Sequence, residues 1–154
     1  MTPSPGTLHQ RIIGNLWYVL RTFVTEQQLG EVFIAPYDIV LDQYNVLEPD
    51  IIVVLNENNK IITEKNIKGA PDLLVEIISP TSGYRDKITK KKLYEKFGVK
   101  EYWIVEPKDE TIEIYSLKDK QFILNQSLTK KETLSSPLLQ DFKVNLTAIF
   151  PTKQ

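Results

Sequence analysis

The chain has 154 residues, 42% of them hydrophobic and 25% charged, which is the balance of one globular domain long enough to bury a sizeable core; a formal net charge of -1 excludes a protein that coats nucleic acid through bulk charge. Without cysteine there is no disulfide framework and no thiolate metal site, and with His9 as the only histidine a His-based catalytic dyad or a multi-histidine zinc centre is close to excluded, so any metal must be held by oxygens, as suits Mg2+ or Mn2+. No apolar run approaches a membrane span and no signal-peptide pattern opens the chain, so a cytoplasmic protein with no membrane partner and no organic cofactor is expected.

Met1 to Gly6, with two prolines, reads as a loose arm. Thr7-Leu8-His9-Gln10 has the form of a capping box, and Leu8, Ile12, Leu16, Val19, Leu20 and Phe23 then recur at helical spacing to about Gln27. His9 falls in the first turn, where an exposed residue with no special role is expected. From Glu31 the period changes to two: Val32 to Ala35 and Tyr37 to Leu41 read as strands broken by Pro36, and Asp50 to Leu55 as a third, closed by a turn over Asn56 to Lys60. Ile61 to Lys68 connects to a strand at Asp72 to Ile78, a turn at Ser79 to Tyr84, a helix at Arg85 to Phe97, a Gly98 stop and a strand at Glu101 to Val105. Strand, helix and strand in that order make a βαβ unit with parallel strands. Thr111 to Leu117 and Gln121 to Gln126 extend it as an antiparallel meander; Ser135-Ser136-Pro137 is a loop before a short strand at Phe142 to Val144, and a helical turn spans Leu146 to Phe150.

Two residues of the βαβ unit do not suit a plain core. Leu73, Val75 and Ile77 point one way and Leu74 and Ile78 the other, the pattern of a strand covered on both faces, with Glu76 in its middle. Stripping water from an unpaired carboxylate costs at least several kcal/mol, so Glu76 must be protonated, paired or bound to a metal. At about 100° per residue, Asp86, Lys90, Leu93 and Phe97 form one stripe of the helix, with Tyr94 at its edge and Lys87, Lys91, Glu95 and Lys96 around the outside. The apolar members mark that stripe as the inward face, and Lys90 lies in its centre. Between Arg85 and Lys100 seven basic residues stand against two acidic ones, which reads first as a solvated helix face and second as a surface for phosphates.

A second carboxylate should come near Glu76 if it helps to hold a hard cation. Asp72 lies four residues along the same strand, about 13 Å away, whereas Asp50 opens a strand that would lie about 5 Å from Glu76 if the two pair. A buried ion pair with no further duty is the blander account of Glu76 and Lys90, although such pairs contribute little net stability at two mid-core positions.

Taken together, Pro49-Asp50, Pro71-Asp72-Leu73-Leu74-Val75-Glu76-Ile77-Ile78-Ser79-Pro80, Asp86-x3-Lys90-x3-Tyr94 and Gly98-Val99-x-Glu101-Tyr102-Trp103 closely resemble the Uma family of putative restriction endonucleases. That family is common in cyanobacteria, was long catalogued as a domain of unknown function, and belongs to the PD-(D/E)XK nuclease superfamily. The resemblance covers nearly the whole chain and implies an α/β fold, a restriction endonuclease-like core with a mixed sheet and flanking helices, and a metal-dependent phosphodiesterase site. By the same resemblance Asp50 takes the place of the first acidic residue and Glu76 of the second. The usual lysine two residues on is replaced by Ile78, and Lys90 takes its role from the helix. Asp50 and Glu76, with the backbone carbonyl of Ile77, would hold Mg2+ or Mn2+, and Lys90 would orient or help to deprotonate the attacking water. Tyr94 would hydrogen-bond near the metal or the phosphate, while Tyr102 and Trp103 are expected in the core. Asp86 would anchor Lys90 or, by preference, cap the helix, and Glu26, Glu31 and Asp38 are minor candidates for a further acidic ligand.

The implied activity is a metal-dependent DNA endonuclease, a homodimer if it cuts both strands. The alternative is an inactive nuclease-like fold serving as a nucleic-acid-binding or regulatory module.

Overall fold

A computed structural model describes residues 6–79 and 84–152, the side chains of 84 and 85 excepted. Most of the expected N-terminal arm and the Pro80 to Gly83 part of the expected turn lie outside the described residues. Helix α1 (Thr7–Glu26) buries Ile12, Ile13, Leu16, Leu20 and Val24, close to the stripe its spacing predicts, but Leu8 stays exposed. The capping box does not form. Gly6 occupies the N-cap, no side chain caps the helix, and Thr7 stands one position inside it.

Strands β1 (Gly30–Ile34), β2 (Ile39–Val40), β3 (Val46–Leu47), β4 (Ile51–Leu55), β5 (Ile67–Lys68) and β6 (Leu73–Ile77) precede helix α2 (Tyr84–Phe97). Strands β7 (Glu101–Glu106), β8 (Thr111–Lys118), β9 (Gln121–Leu128), β10 (Thr133–Ser135) and β11 (Lys143–Asn145) follow it. The main sheet runs β1-β4-β6-β7-β8-β9, antiparallel at every junction except β6 with β7. That one parallel pair, with α2 as its connection, is the predicted βαβ unit, and the predicted meander forms the β7-β8-β9 edge. Elsewhere the structure departs from expectation in small elements. The segments around Ile39 and Ile67 form a separate three-stranded sheet, β3-β2-β5, the Ser135 segment is a strand paired with β11, and the turn after β4 is a 3-10 helix over Asn56–Ile61. The closing turn is also 3-10 and shorter than expected, Leu146–Ala148.

The alternation on β6 sorts the core into two layers. Leu73, Val75 and Ile77, with Ile51, Val53, Trp103 and Val105, pack against α1; Leu74, with Ile52, Val54, Tyr102 and Ile104, packs on the other face against Tyr94 of α2. Gly98 ends α2 with φ +87, a conformation that favours glycine, and the N–H groups of Gly98 and Val99 both donate to the Tyr94 carbonyl.

The inward stripe of α2 is rotated from the one expected. Tyr94 is fully buried, while Leu93 and Phe97 are half-buried and Asp86 is exposed. Lys87, Lys91 and Glu95, expected on the outside, face the edge of the sheet: Lys87 Nζ lies 3.2 Å from Glu113 Oε1, the Lys91 ammonium 3.8 Å from the Tyr115 ring centroid, and Glu95 Oε2 accepts from the Phe122 N–H at 2.6 Å. Long lysine stems let this face lie on β8 and β9 while their charged ends find partners. Lys100 is likewise 3.2 Å from Asp72. Lys87, Lys90 and Lys91 are thus drawn to partners on the protein, while Lys92, Lys96 and Lys100 stay exposed, so the solvated-face reading holds for only part of the stretch.

Two buried carboxylates are structural pins. Asp72 accepts from the Leu55 N–H at 2.7 Å. Glu101 accepts from Trp103 Nε1 at 2.8 Å and Ser136 Oγ at 2.6 Å through Oε2, and from the Leu138 N–H at 3.0 Å through Oε1, tying the loop after β10 to β7. Burial nevertheless holds Glu101 above the usual carboxylate range against these three bonds. A Gln at this position would present an amide N–H to at least one donor. Glu101→Gln should therefore cost about 1–3 kcal/mol in urea denaturation; an unchanged midpoint would mean that the three bonds contribute nothing net.

Candidate active site

Strand β4 is brought to β6 with Ile51 opposite Val75, so the next residue back, Asp50, comes opposite Glu76. The Asp50 main chain extends both neighbouring ladders: its N–H donates to the Val75 carbonyl at 3.1 Å and its carbonyl accepts from the Ala35 N–H at 2.9 Å. Its side chain continues the pattern, Oδ2 accepting from the Ile77 N–H at 2.7 Å. Asp50 is thereby fixed at the mouth of a cavity of about 200 Å³ that Glu76, Ile77, Ile78, Ser79, Asp86, Lys90 and Tyr102 also line.

Glu76 points to the α2 side of the sheet, only 12% exposed. Oε1 accepts from Tyr94 Oη at 2.6 Å; Oε2 is 3.4 Å from both Tyr102 Oη and Lys90 Nζ. The two tyrosine rings meet edge to face, centroids 5.1 Å apart, which aims both hydroxyls at one carboxylate. Lys90, 29% exposed, also stands 3.4 Å from Asp86 Oδ2 one turn earlier. Asp86 is the third residue of α2 and lies inside the helix, so it reaches Lys90 rather than serving as the cap that was preferred for it.

These contacts set the charges. Burial pushes Glu76 above the usual carboxylate range, over the opposing Lys90 charge and Tyr94 hydrogen bond, and the Asp50 carboxylate adds to the push. Burial works against the Lys90 ammonium, but Glu76 and Asp86 outweigh it and hold the amine above its ordinary value. Burial and the Glu76 charge drive the Tyr94 and Tyr102 hydroxyls well above theirs, so both serve as donors.

The minor acidic candidates do not join the cavity lining. Glu26 ends α1 and is exposed, and Glu31 is paired with Val54, the far end of β4 from Asp50. Asp38 is half-buried and faces Glu48, whose carboxyl its hydrogen bond holds above the usual range. Glu48 lines the cavity and was missed, although it stands two residues before Asp50. Tyr102 was read as core only; its parity with Ile104, opposite Glu76, could have placed it beside the acid. His9 is the largest correction. It is half-buried, lines the cavity, and brings Nε2 within 3.2 Å of Asp50 Oδ1.

Among the described residues no group of three or more His, Cys, Asp or Glu side chains is disposed around one point as metal ligands. Asp50 and Glu76, at opposed positions of neighbouring chains, both line the cavity.

A family model described as "Putative restriction endonuclease", Uma2, matches residues 1–148. The chain belongs to the Uma2 family. Among solved structures, one similar in fold is that of "a putative nuclease belonging to DUF820" from Anabaena variabilis: TM-score 0.79 at 18% identity, over 97% of this chain and 84% of that one. At that identity the likeness establishes the fold, a mixed α/β architecture. No curated protein matches the chain. Among the described residues no helix is long and apolar enough to cross a membrane.

The Glu76 shift has a sign that can be tested. A carboxyl raised on folding gives stability that is complete below its unfolded value and is lost as pH rises through the folded value. Glu76→Gln, which keeps an acceptor for Tyr94, should therefore gain in melting temperature relative to the parent as pH is raised from about 4 toward 7. A difference that stays flat across that range would show that Glu76 is not raised.

Proposed function

We propose that the chain is a metal-dependent endonuclease that hydrolyses phosphodiester bonds of DNA. The observation that supports this most strongly is the meeting of Asp50, Glu76 and Lys90 in one open cavity, from β4, β6 and α2, in a member of a family described as restriction endonucleases. Oxygen donors suit Mg2+ or Mn2+, and Mg2+ is commonly held by one or two carboxylates with several waters, so a pair of acids without a third side-chain ligand fits such an ion. Asp50 and Glu76 would hold it, with the Ile77 backbone carbonyl a further candidate. When bound, the ion would neutralise charge on the phosphodiester and make a water more acidic.

The protein's own groups would do the rest. Lys90, flanked by Glu76 and Asp86, would act as an ammonium that stabilises charge. It would offset charge growing on the phosphoryl oxygens as water adds to phosphorus and the 3′ oxygen departs, leaving a 5′-phosphate. Asp86 positions Lys90, and Tyr94 fixes one oxygen of Glu76 so that the other faces the cavity mouth beside Lys90. One such site cuts one strand, and double-strand scission would call for a homodimer.

The second reading, a nuclease-like fold that binds without cutting, is favoured by a specific feature: both oxygens of Glu76 already have protein partners, as in a self-satisfied buried ion pair. Plasmid nicking titrated with Mg2+ and Mn2+ separates the two. Asp50→Ala, Glu76→Ala and Lys90→Ala should each lower cleavage by about a hundredfold or more. Cleavage undiminished in all three, or absent from the parent with every divalent ion while a gel shift shows DNA bound, leaves the binding module standing.

A further inference from the structure

Of the groups around the cavity, one comes from the opposite side of the sheet. His9 lies in the first turn of α1, the helix that packs on the Leu73, Val75 and Ile77 face, yet its ring reaches around the end of β4 to Asp50. We propose that His9 is a positioning residue of the cation site, fixing the rotation of the Asp50 carboxylate and through it the affinity for the metal.

The argument runs through the two oxygens of one side chain. Asp50 Oδ2 is held by the Ile77 N–H at 2.7 Å and Oδ1 is 3.2 Å from His9 Nε2. An imidazole nitrogen rests against a carboxylate oxygen only as a donor, since otherwise two lone pairs would oppose each other. With Nε2 carrying the proton, the neutral ring's lone pair belongs to Nδ1, a buried atom with no partner among the described residues. A buried polar atom without a partner costs free energy, so the ring's orientation is not set by its own hydrogen bonding at Nδ1. What remains on the other side is the Asp50 contact, with the side chain only 14% exposed and little freedom to swing. Both oxygens are thus gripped, one from the backbone of β6 and one from α1, and each keeps a lone pair for a cation. Loss of outer-shell partners of this kind typically weakens metal binding by about 10- to 100-fold.

This inference rests on the proposed metal site, and the experiment separates the failure of one from the failure of the other. Mn2+ binding is followed by electron paramagnetic resonance on the parent, Asp50→Asn, His9→Ala and His9→Gln, with circular dichroism melts on each. Mn2+ should bind the parent and be lost in Asp50→Asn. His9→Ala should weaken it by about tenfold or more with its melt retained, and His9→Gln, whose amide N–H replaces the Nε2 donor, should recover most of the loss. Equal affinity in His9→Ala, or a loss that His9→Gln does not recover, overturns the role of His9 while the metal site stands. Nitrogen couplings from a directly bound imidazole in the parent spectrum also overturn it, making His9 a ligand instead. A parent that binds no Mn2+ overturns both.

Discussion

The structure around the site depends on one buried carboxylate. Glu76 sits in the middle of β6, a strand covered on both faces, and removing an isolated carboxylate from water costs more than any single hydrogen bond returns. Tyr94, Lys90 and Tyr102 all converge on it, two from α2 and one from β7. That requirement explains why α2 packs with Tyr94 at its centre although Leu93 and Phe97 are the more apolar residues: turning the helix to bury those two would take the Tyr94 hydroxyl and the Lys90 ammonium away from the acid. The compensation is incomplete, since Glu76 remains above its usual range even with these partners. A carboxylate left short of compensation beside a water-accessible cavity favours a cation.

Comparison with the other buried acids shows what sets Glu76 apart. Asp72 and Glu101 are each about 1% exposed, more deeply buried than Glu76, but their partners include backbone N–H groups of neighbouring segments, and neither lines the cavity. They join elements, the Asp72 bond linking the ends of β4 and β6 and the Glu101 bonds linking β7 to the loop after β10. Among the described residues Glu76 is partnered by side chains alone, and unlike the other two it lines the cavity. Burial of charge is common to all three; access from outside is not.

Much of this was legible in the sequence, for identifiable reasons. The parity of β6 fixed which residues share a face, and Pro and Gly bounded the βαβ unit, so Glu76 stood out from spacing alone, while its pairing with Asp50 depended on β4 and β6 being neighbours, as they are. The family resemblance supplied the roles, and the Uma2 match bears out the family. Helical spacing served less well on α2, where it weighs apolar residues and cannot register that lysine stems cover Tyr115 and reach Glu113. His9 was illegible for another reason: periodicity places a residue on a helix face but does not say that the first turn of α1 overhangs the end of β4. The two-residue strands β2, β3 and β5 are too short for alternation to mark them, and only their mutual pairing defines them.

The charge of the cavity bears on the need for a cation. Among the described residues four carboxylates line it, Glu48, Asp50, Glu76 and Asp86, against two ammonium groups, Lys87 and Lys90, and Lys87 is already drawn to Glu113. If all are ionised, two negative charges are left in excess. A phosphodiester carries one more, and at short range in a partly desolvated cleft like charges repel by far more than they do in water. Lys90 cannot reverse that balance, because Glu76 and Asp86 flank it on both sides. A divalent cation between Asp50 and Glu76 would offset that excess and ease the approach of a polyanion.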